Sequence, residues 1–262
     1  MQYQKLQKKV NFTGMVRYLS FPEIQSAYCD FIDDCSTLIH YTSAKSLQER
    51  KIQEIEQEIY KVKHYKAQFI SAREEDFANE LFHMQCMLNA VRCILCMWME
   101  IKNSNFSEAW FRLIDAQEYI DVALMIRDYE GVRLIEKFLL KVEDTIFPRR
   151  SLYISRGTIE TIGQCSICSA NFFLCDHLEN KVYMGKLCRR VERRIVEWNH
   201  VALVKSPKDK RCIVTHIEDD NGNMIDYFTG KICEDIKDQD KINIKGKRMK
   251  CILLHFNPLD FD

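Results

Sequence analysis

Glycine and proline are scarce in this chain, with eight and four among 262 residues. Between Pro22 and Pro148 the only one of either is Gly131. That stretch lacks the breakers and turn formers of a β-architecture, and long helices are expected there. Net charge is missing too, since 38 basic side chains face 38 acidic ones. Bulk charge therefore supplies no attraction to nucleic acid or to an anionic membrane. The opening residues, Met-Gln-Tyr-Gln-Lys-Leu-Gln-Lys-Lys, contain no apolar signal core. No apolar run is clean enough for a membrane span, because the strongest, 84–101, is broken by Gln85, Asn89, Arg92 and Glu100. The expectation is a cytoplasmic protein without membrane contact.

Cysteine, by contrast, is plentiful. There are twelve, and Cys29, Cys35, Cys86, Cys93, Cys96, Cys212, Cys233 and Cys251 are scattered along the chain. Several fall at apolar helical positions, which suits a reducing compartment and free thiols. The other four lie close together, in Cys165-Ser-Ile-Cys168, Cys175-Asp-His177 and Gly185-Lys-Leu-Cys188. With His177 they put five soft metal donors into 24 residues. Zn²⁺ takes thiolate and imidazole ligands in a tetrahedron, and Cys-x-x-Cys supplies two of them from one turn. Cys165, Cys168, Cys175 and His177 are the first-choice ligands. Cys188 either replaces one of these or sits beside the site as a spare thiol. A shell of four protein donors is closed to water, which points to a structural ion rather than a catalytic one. Without a metal, the same residues would be buried free cysteines.

The hydrophobic pattern of the first half is helical. Ile24, Ala27, Tyr28, Phe31, Ile32, Cys35, Leu38 and Ile39 recur at three-to-four spacing after Pro22, up to a break at Tyr41-Thr-Ser43. Ile52, Ile55, Ile59, Val62 and Phe69 form a narrow stripe flanked by Glu, Gln and Lys, as a helix hairpin or short coiled coil requires. Phe77, Leu81, Met84, Leu88, Val91, Leu95 and Trp98 follow with no miss, and the widened stripe predicts the central helix of a bundle. Ser107 is the expected cap of a fourth helix through Trp110, Leu113, Ile114, Gln117, Ile120 and Leu124. A last helix covers 131–146. Asp115, Glu118 and Asp121 read as a solvated face. His40, His64 and His83 read as lone histidines without special roles. A di-metal bundle would need Glu-x-x-His pairs, and this half has none.

Pattern and composition change at Phe147-Pro148, so 1–148 is expected to be an antiparallel helical bundle and 149–262 a small, mostly β zinc-containing domain. The fold class is thus α+β. Apolar alternation over 151–162, at 196–204 and at Cys212, Val214 and His216 predicts strands. Asp220-Asn-Gly-Asn223 predicts a tight turn before Met224-Ile-Asp-Tyr-Phe, and 249–256 a final strand. Lys186, Arg189, Arg190, Arg193 and Arg194 form a basic run after the knuckle, interrupted by Glu192 and followed by Glu197. Zinc knuckles beside such runs bind nucleic acid. A solvated charged face is the alternative.

The string Cys-Ser-Ile-Cys, Cys-x-His and Tyr183-Met-Gly-Lys-Leu-Cys188, followed by Glu197-Trp-Asn-His-Val-Ala-Leu-Val204 and by Pro207 to His216, resembles a family of uncharacterised bacterial and phage-associated zinc-knuckle proteins. The strand pair is also similar to the C-terminal part of phage prohead maturation proteases. That resemblance covers about residues 150–216 and implies a nucleophile at Ser155, in Ser155-Arg-Gly157-Thr. Thr158 stands where that family carries an aromatic residue, Asn199-His200 replaces Val-Ser, and a helical bundle occupies the place of the histidine-bearing β segment that would activate the serine. The leading functional expectation is a non-enzymatic interaction protein, self-associating or binding a protein partner through its helical half. The resemblance implies a bacterial, phage or phage-defence setting. A serine protease using Ser155, or a degenerate relative of one, and a nucleic-acid-binding protein are the alternatives.

Overall fold

The computed structural model describes residues 20–147, 152–233, 242–244, 246–253 and 259–261. Five helices come first: α1 Phe21–Ser36, α2 Lys45–Ser71, α3 Glu75–Lys102, α4 Phe106–Ile126 and α5 Glu130–Ile146. Short strands follow, so the architecture is α+β with the helices in the N-terminal half.

Capping and tight turns explain the helix ends. Ser20 opens α1, where its amide donates to Glu23 Oε2 at 2.7 Å and Pro22 occupies the first turn. Residues 72–74 turn α2 into α3 through Arg73, which takes φ 59°. The turn into α4 is tighter than the sequence suggests. Ser104 adopts φ 61° and the Asn105 amide bonds back to the Glu100 carbonyl, so Asn105 rather than Ser107 precedes the helix.

Helix α3 is buried on every side, not along one stripe. From Leu81 to Met99 all residues are buried except the half-buried Arg92 and Cys96. Among the described helices it alone is long and apolar enough to cross a membrane, but 89% of its apolar window lies inside the protein. Its neighbours supply that cover: Tyr28 and Cys35 from α1, Ile55, Ile59, Val62 and Phe69 from α2, Trp110, Leu113, Tyr119 and Ile120 from α4, all in one buried cluster. Two polar groups of α3 find partners, one within the helix and one across the bundle. Asn89 Nδ2 donates to the Gln85 carbonyl at 3.1 Å, and Trp98 Nε1 donates to the Ile39 carbonyl at 2.7 Å.

The strands are β1 Tyr153–Glu160, β2 Gln164–Cys165, β3 Val182–Tyr183, β4 Lys186–Leu187, β5 Arg190–Val191, β6 Ile195–Val204, β7 Val214–Glu218, β8 Met224–Asp226, β9 Ile232–Cys233, β10 Ile242–Ile244 and β11 Lys247–Cys251. β1 and β6 form a long antiparallel ribbon with irregularities at Gly157/Thr158 and Ile159/Glu160. An antiparallel sheet has the order β10-β11-β7-β8-β9. The expected Asp-Asn-Gly-Asn turn joins β7 to β8: Gly222 takes φ 83°, and Asp219 Oδ1 accepts the amides of Asn221 and Asn223 at 2.9 and 2.7 Å. The expected last strand ends at Cys251, and 254–258 lie outside the described residues.

The β half shares the helical core. Tyr153, Leu187, Ile213 and Phe261 belong to the same buried cluster as the helix residues. Phe261 packs against Tyr119, tilted, and against Phe82, edge-to-face, at ring separations of 5.1 and 6.3 Å. A buried ion cluster adds a polar link. Arg211 reaches Asp115 Oδ1 through Nε at 2.9 Å and Nη2 at 2.7 Å, and Glu118 and Asp209 through Nη1 at 2.9 and 3.1 Å. Asp115 is only 2% exposed, so the solvated face expected for Asp115, Glu118 and Asp121 is corrected for its first member. The tertiary partner Arg211, 96 positions away, is what allows that carboxylate to be buried.

Candidate metal centre

The knuckle starts in β2. Cys165 donates its amide to the Ala170 carbonyl at 2.9 Å, and the Ser169 amide returns to the Cys165 carbonyl at 2.8 Å. Ser169 takes φ 59° to close this turn. The turn aims backbone amides at sulfur: Ile167 N lies 3.4 Å from Cys165 Sγ. Burial opposes a thiolate at Cys165, but the amides of Cys168 and Ile167, with the thiols of Cys175 and Cys188, hold its pKa down to about 6. Cys188 moves the other way, to about 12, from burial and from facing the Cys165 sulfur. A divalent cation bound at Cys165 would take its thiolate form.

A one-turn 3-10 helix, Phe172–Leu174, delivers Cys175 and His177. Asn171 Oδ1 caps it by accepting the Phe173 amide at 3.0 Å. The His177 ring meets Tyr183 edge-on at 4.8 Å, and its buried Nδ1 has no hydrogen-bond partner on the protein. A buried nitrogen left without a protein partner beside thiols is suited to a metal ligand. The ligating atoms of Cys165, Cys168, Cys175 and His177 lie within 4.8 Å of one another, so this group could hold a metal ion. It is the four-residue set that the sequence favours. Cys188 stands against it, with its Sγ 3.8 Å from Cys165 Sγ. That separation is close to the ~3.8 Å edge of a tetrahedron whose metal–sulfur bonds are ~2.3 Å. Cys188 thus stands beside the four-donor group, next to Cys165.

Cys188 follows a hairpin, β3 and β4, that docks on the bundle. Met184 and Gly185 form its two-residue turn with φ 47° and 70°, both in the left-handed region a type I′ turn needs. The Met184 amide donates to Glu75 Oε1 at 3.1 Å and the Gly185 amide to Asn79 Oδ1 at 2.7 Å, both on the first turns of α3. A Cβ at residue 185 would lie 2.8 Å from the Ala78 carbonyl oxygen. Only glycine combines that approach with that φ. The stem of Lys66 covers the same spot, and its buried ammonium lies 4.8 Å from the centre of the Phe82 ring. Burial lowers the Lys66 pKa to about 8, aided by the charges of Lys63 and Lys186.

The basic run is partly engaged. Arg189 lies 4.0 Å over the Phe261 ring, Arg190 pairs with Glu179 at 3.0 Å, and Arg193 with Glu160 at 3.0 Å. Lys186 is half-buried in β4, and Arg194 is exposed. The five therefore do not form one free cationic face. Ser155 sits mid-strand in β1 opposite Ala202, and among the described residues no histidine hydrogen-bonds to it. His200 is across from Gly157, where its ring fills the space of the missing side chain. His216 instead bonds Thr215 Oγ1 and lies 3.7 Å from Asp226.

Sequence reasoning missed the docking contacts of the hairpin. Gly185 was the available signal, and a weak one, because Met184 before it is not among the usual residues of a two-residue hairpin turn. No protein-family model, curated protein or solved structure matches this chain.

Proposed function

We propose that this protein is a non-enzymatic interaction protein in which a structural zinc ion on Cys165, Cys168, Cys175 and His177 holds the knuckle against the helical half. The observation that carries the reading is the donor set: three sulfurs and one imidazole nitrogen within 4.8 Å of one another. Thiolate with imidazole in fourfold coordination suits zinc, and four protein donors leave no position for water or substrate. The ion would tie the knuckle together at one end, while Met184 and Gly185 tie the hairpin to α3 at the other.

Exposed apolar surface supports the interaction part. On the β1–β6 ribbon Val196 is 67% exposed, Trp198 52% and Ile159 52%. The other end of the ribbon packs through Tyr153 and Ile154, and a large exposed aromatic residue at this end is suited to a partner surface. Leu134 and Leu140 of α5 are exposed as well. The partner is a protein or a second copy of this chain, in the bacterial, phage or phage-defence setting that the sequence resemblance implies. Binding of nucleic acid falls to second place, because three arginines of the basic run already have protein partners.

Elemental analysis of the purified protein tests the first part, with about one zinc per chain expected. Cys168→Ser should lower that content, and removal of the ion by a chelator should lower the melting temperature. Absence of metal, or a melting temperature indifferent to the chelator, sinks the structural-zinc reading. Size exclusion with light scattering tests the second part. A monomer that also captures nothing from a host lysate removes the interaction reading.

A further inference from the structure

Strand β6 is ten residues long, and among the described residues β1 is the only strand that pairs with it. The start of β1 is covered on its own outer edge, where Tyr153 bridges to Ile213 and the Ile154 amide donates to the Cys212 carbonyl at 2.7 Å. The outer edge of β6 has no such cover. An open edge presents unpaired amides and carbonyls, and short strands, lysine or proline usually blunt it. β6 reads Ile-Val-Glu-Trp-Asn-His-Val-Ala-Leu-Val, about 33 Å of strand whose one charged residue is Glu197. The irregular register leaves Asn199 and Val196 as bulges, which disturb its first half. From His200 to Val204 the pairing with β1 is unbroken, so this part of the edge is a regular, uncharged template for another strand.

The charges that flank the stretch select the partner. Glu197 lies four residues before Val201, and Lys205 four residues after it. Both are exposed, and neither has an ion-pair partner among the described residues. Two copies meeting antiparallel about a two-fold axis at Val201 place Glu197 of each near Lys205 of the other. A second copy carries that complementary pattern by symmetry. The same axis sets Val201, 45% exposed, against its own copy. Leu203, two residues on and on the same face, already packs on the small cluster of Ile154, Val214 and Met249, which the pairing would extend.

We propose that this chain forms a two-fold dimer by antiparallel pairing of its β6 edges, centred on Val201, joining two ribbons into one four-stranded sheet. This rests on the interaction reading above and commits it to a second copy of the chain. Light scattering on the full, metal-loaded protein should show the mass rising from monomer towards dimer between ~1 and ~100 µM. Val201→Glu places two carboxylates opposite each other across the axis and should raise the dissociation constant about tenfold or more. Within the ribbon that carboxylate faces Arg156, so melting temperature and metal content should stay those of the parent. Glu197→Lys should weaken the dimer a few-fold, and adding Lys205→Glu should restore it. A chain that is monomeric at ~100 µM overturns the proposal. So does a dimer that Val201→Glu leaves unchanged, or a charge reversal without rescue. A monomer that captures another protein from a host lysate overturns it while leaving the interaction reading standing, and a monomer that captures nothing removes both.

Discussion

Arg211 is 4% exposed and its principal partner Asp115 2%, so their charges face each other away from water. Truncating one member leaves the other buried without compensation, which costs about 3–5 kcal/mol. The two truncations are not equivalent. Arg211→Met leaves Asp115 with only Arg112, at 3.5 Å, whereas Asp115→Leu leaves Arg211 with Glu118 at 2.9 Å and Asp209 at 3.1 Å. We expect about 4 kcal/mol for the first and about 3 kcal/mol for the second. The double variant Asp115→Leu with Arg211→Met replaces both charges by apolar groups and should lie within ~1 kcal/mol of the parent. The double-mutant cycle then yields a coupling of several kcal/mol. Urea unfolding of metal-loaded protein, followed by tryptophan fluorescence, reads it directly, and Trp110 is well placed because its Nε1 bonds the Lys210 carbonyl at 2.9 Å. Raising the salt should change these differences little, because buried pairs are poorly screened. Single variants costing under ~1 kcal/mol, or a double variant as costly as the sum, would refute a desolvated ion cluster between the halves.

Gly185→Ala should destabilise by about 2–3 kcal/mol, from the left-handed φ and the 2.8 Å approach to the Ala78 carbonyl, and should lower metal affinity with it; a neutral result in thermal melting removes the docking argument. Lys66 has a folded pKa below its unfolded value, so the unfolded chain binds more protons between about 8 and 10.5, and stability rises with pH across that window. Lys66→Met should flatten this rise and raise stability at pH 7 by up to ~3 kcal/mol, as denaturation at two pH values will report. His83 is likewise depressed, to about 4 from 6.5, so it contributes stability above the unfolded value that is lost as pH falls through 6.5 towards 4. His83→Leu should remove that part of the acid sensitivity; an unchanged pH profile of stability counts against a neutral buried imidazole.

Much of the helical half could be read from spacing. The seven-residue march from Phe77 to Trp98 identified α3 as the centre, and its burial from Leu81 to Met99 agrees. The same reading placed Asp115 in solvent and did not single out Lys66. A carboxylate or an amine on a helix face looks solvated until something covers it. Arg211 covers Asp115 from 96 positions away, and the Gly185 turn covers Lys66. The metal donors were legible for the opposite reason: Cys-x-x-Cys and Cys-x-His are local, and the chain geometry of one turn brings them together.

The local periodicities and donor spacings of this sequence, which act over a few residues, were enough to set five helices, a metal-capable knuckle and the tight turn at Asn221-Gly222. Tertiary packing alone decided that the knuckle's hairpin rests on α3, that β1 pairs with β6, that Cys188 stands beside the four-donor group, and that Arg211 is buried against Asp115. Those outcomes depend on which surfaces exclude water from which charges across long separations in the chain. No pattern within a single segment carries that information.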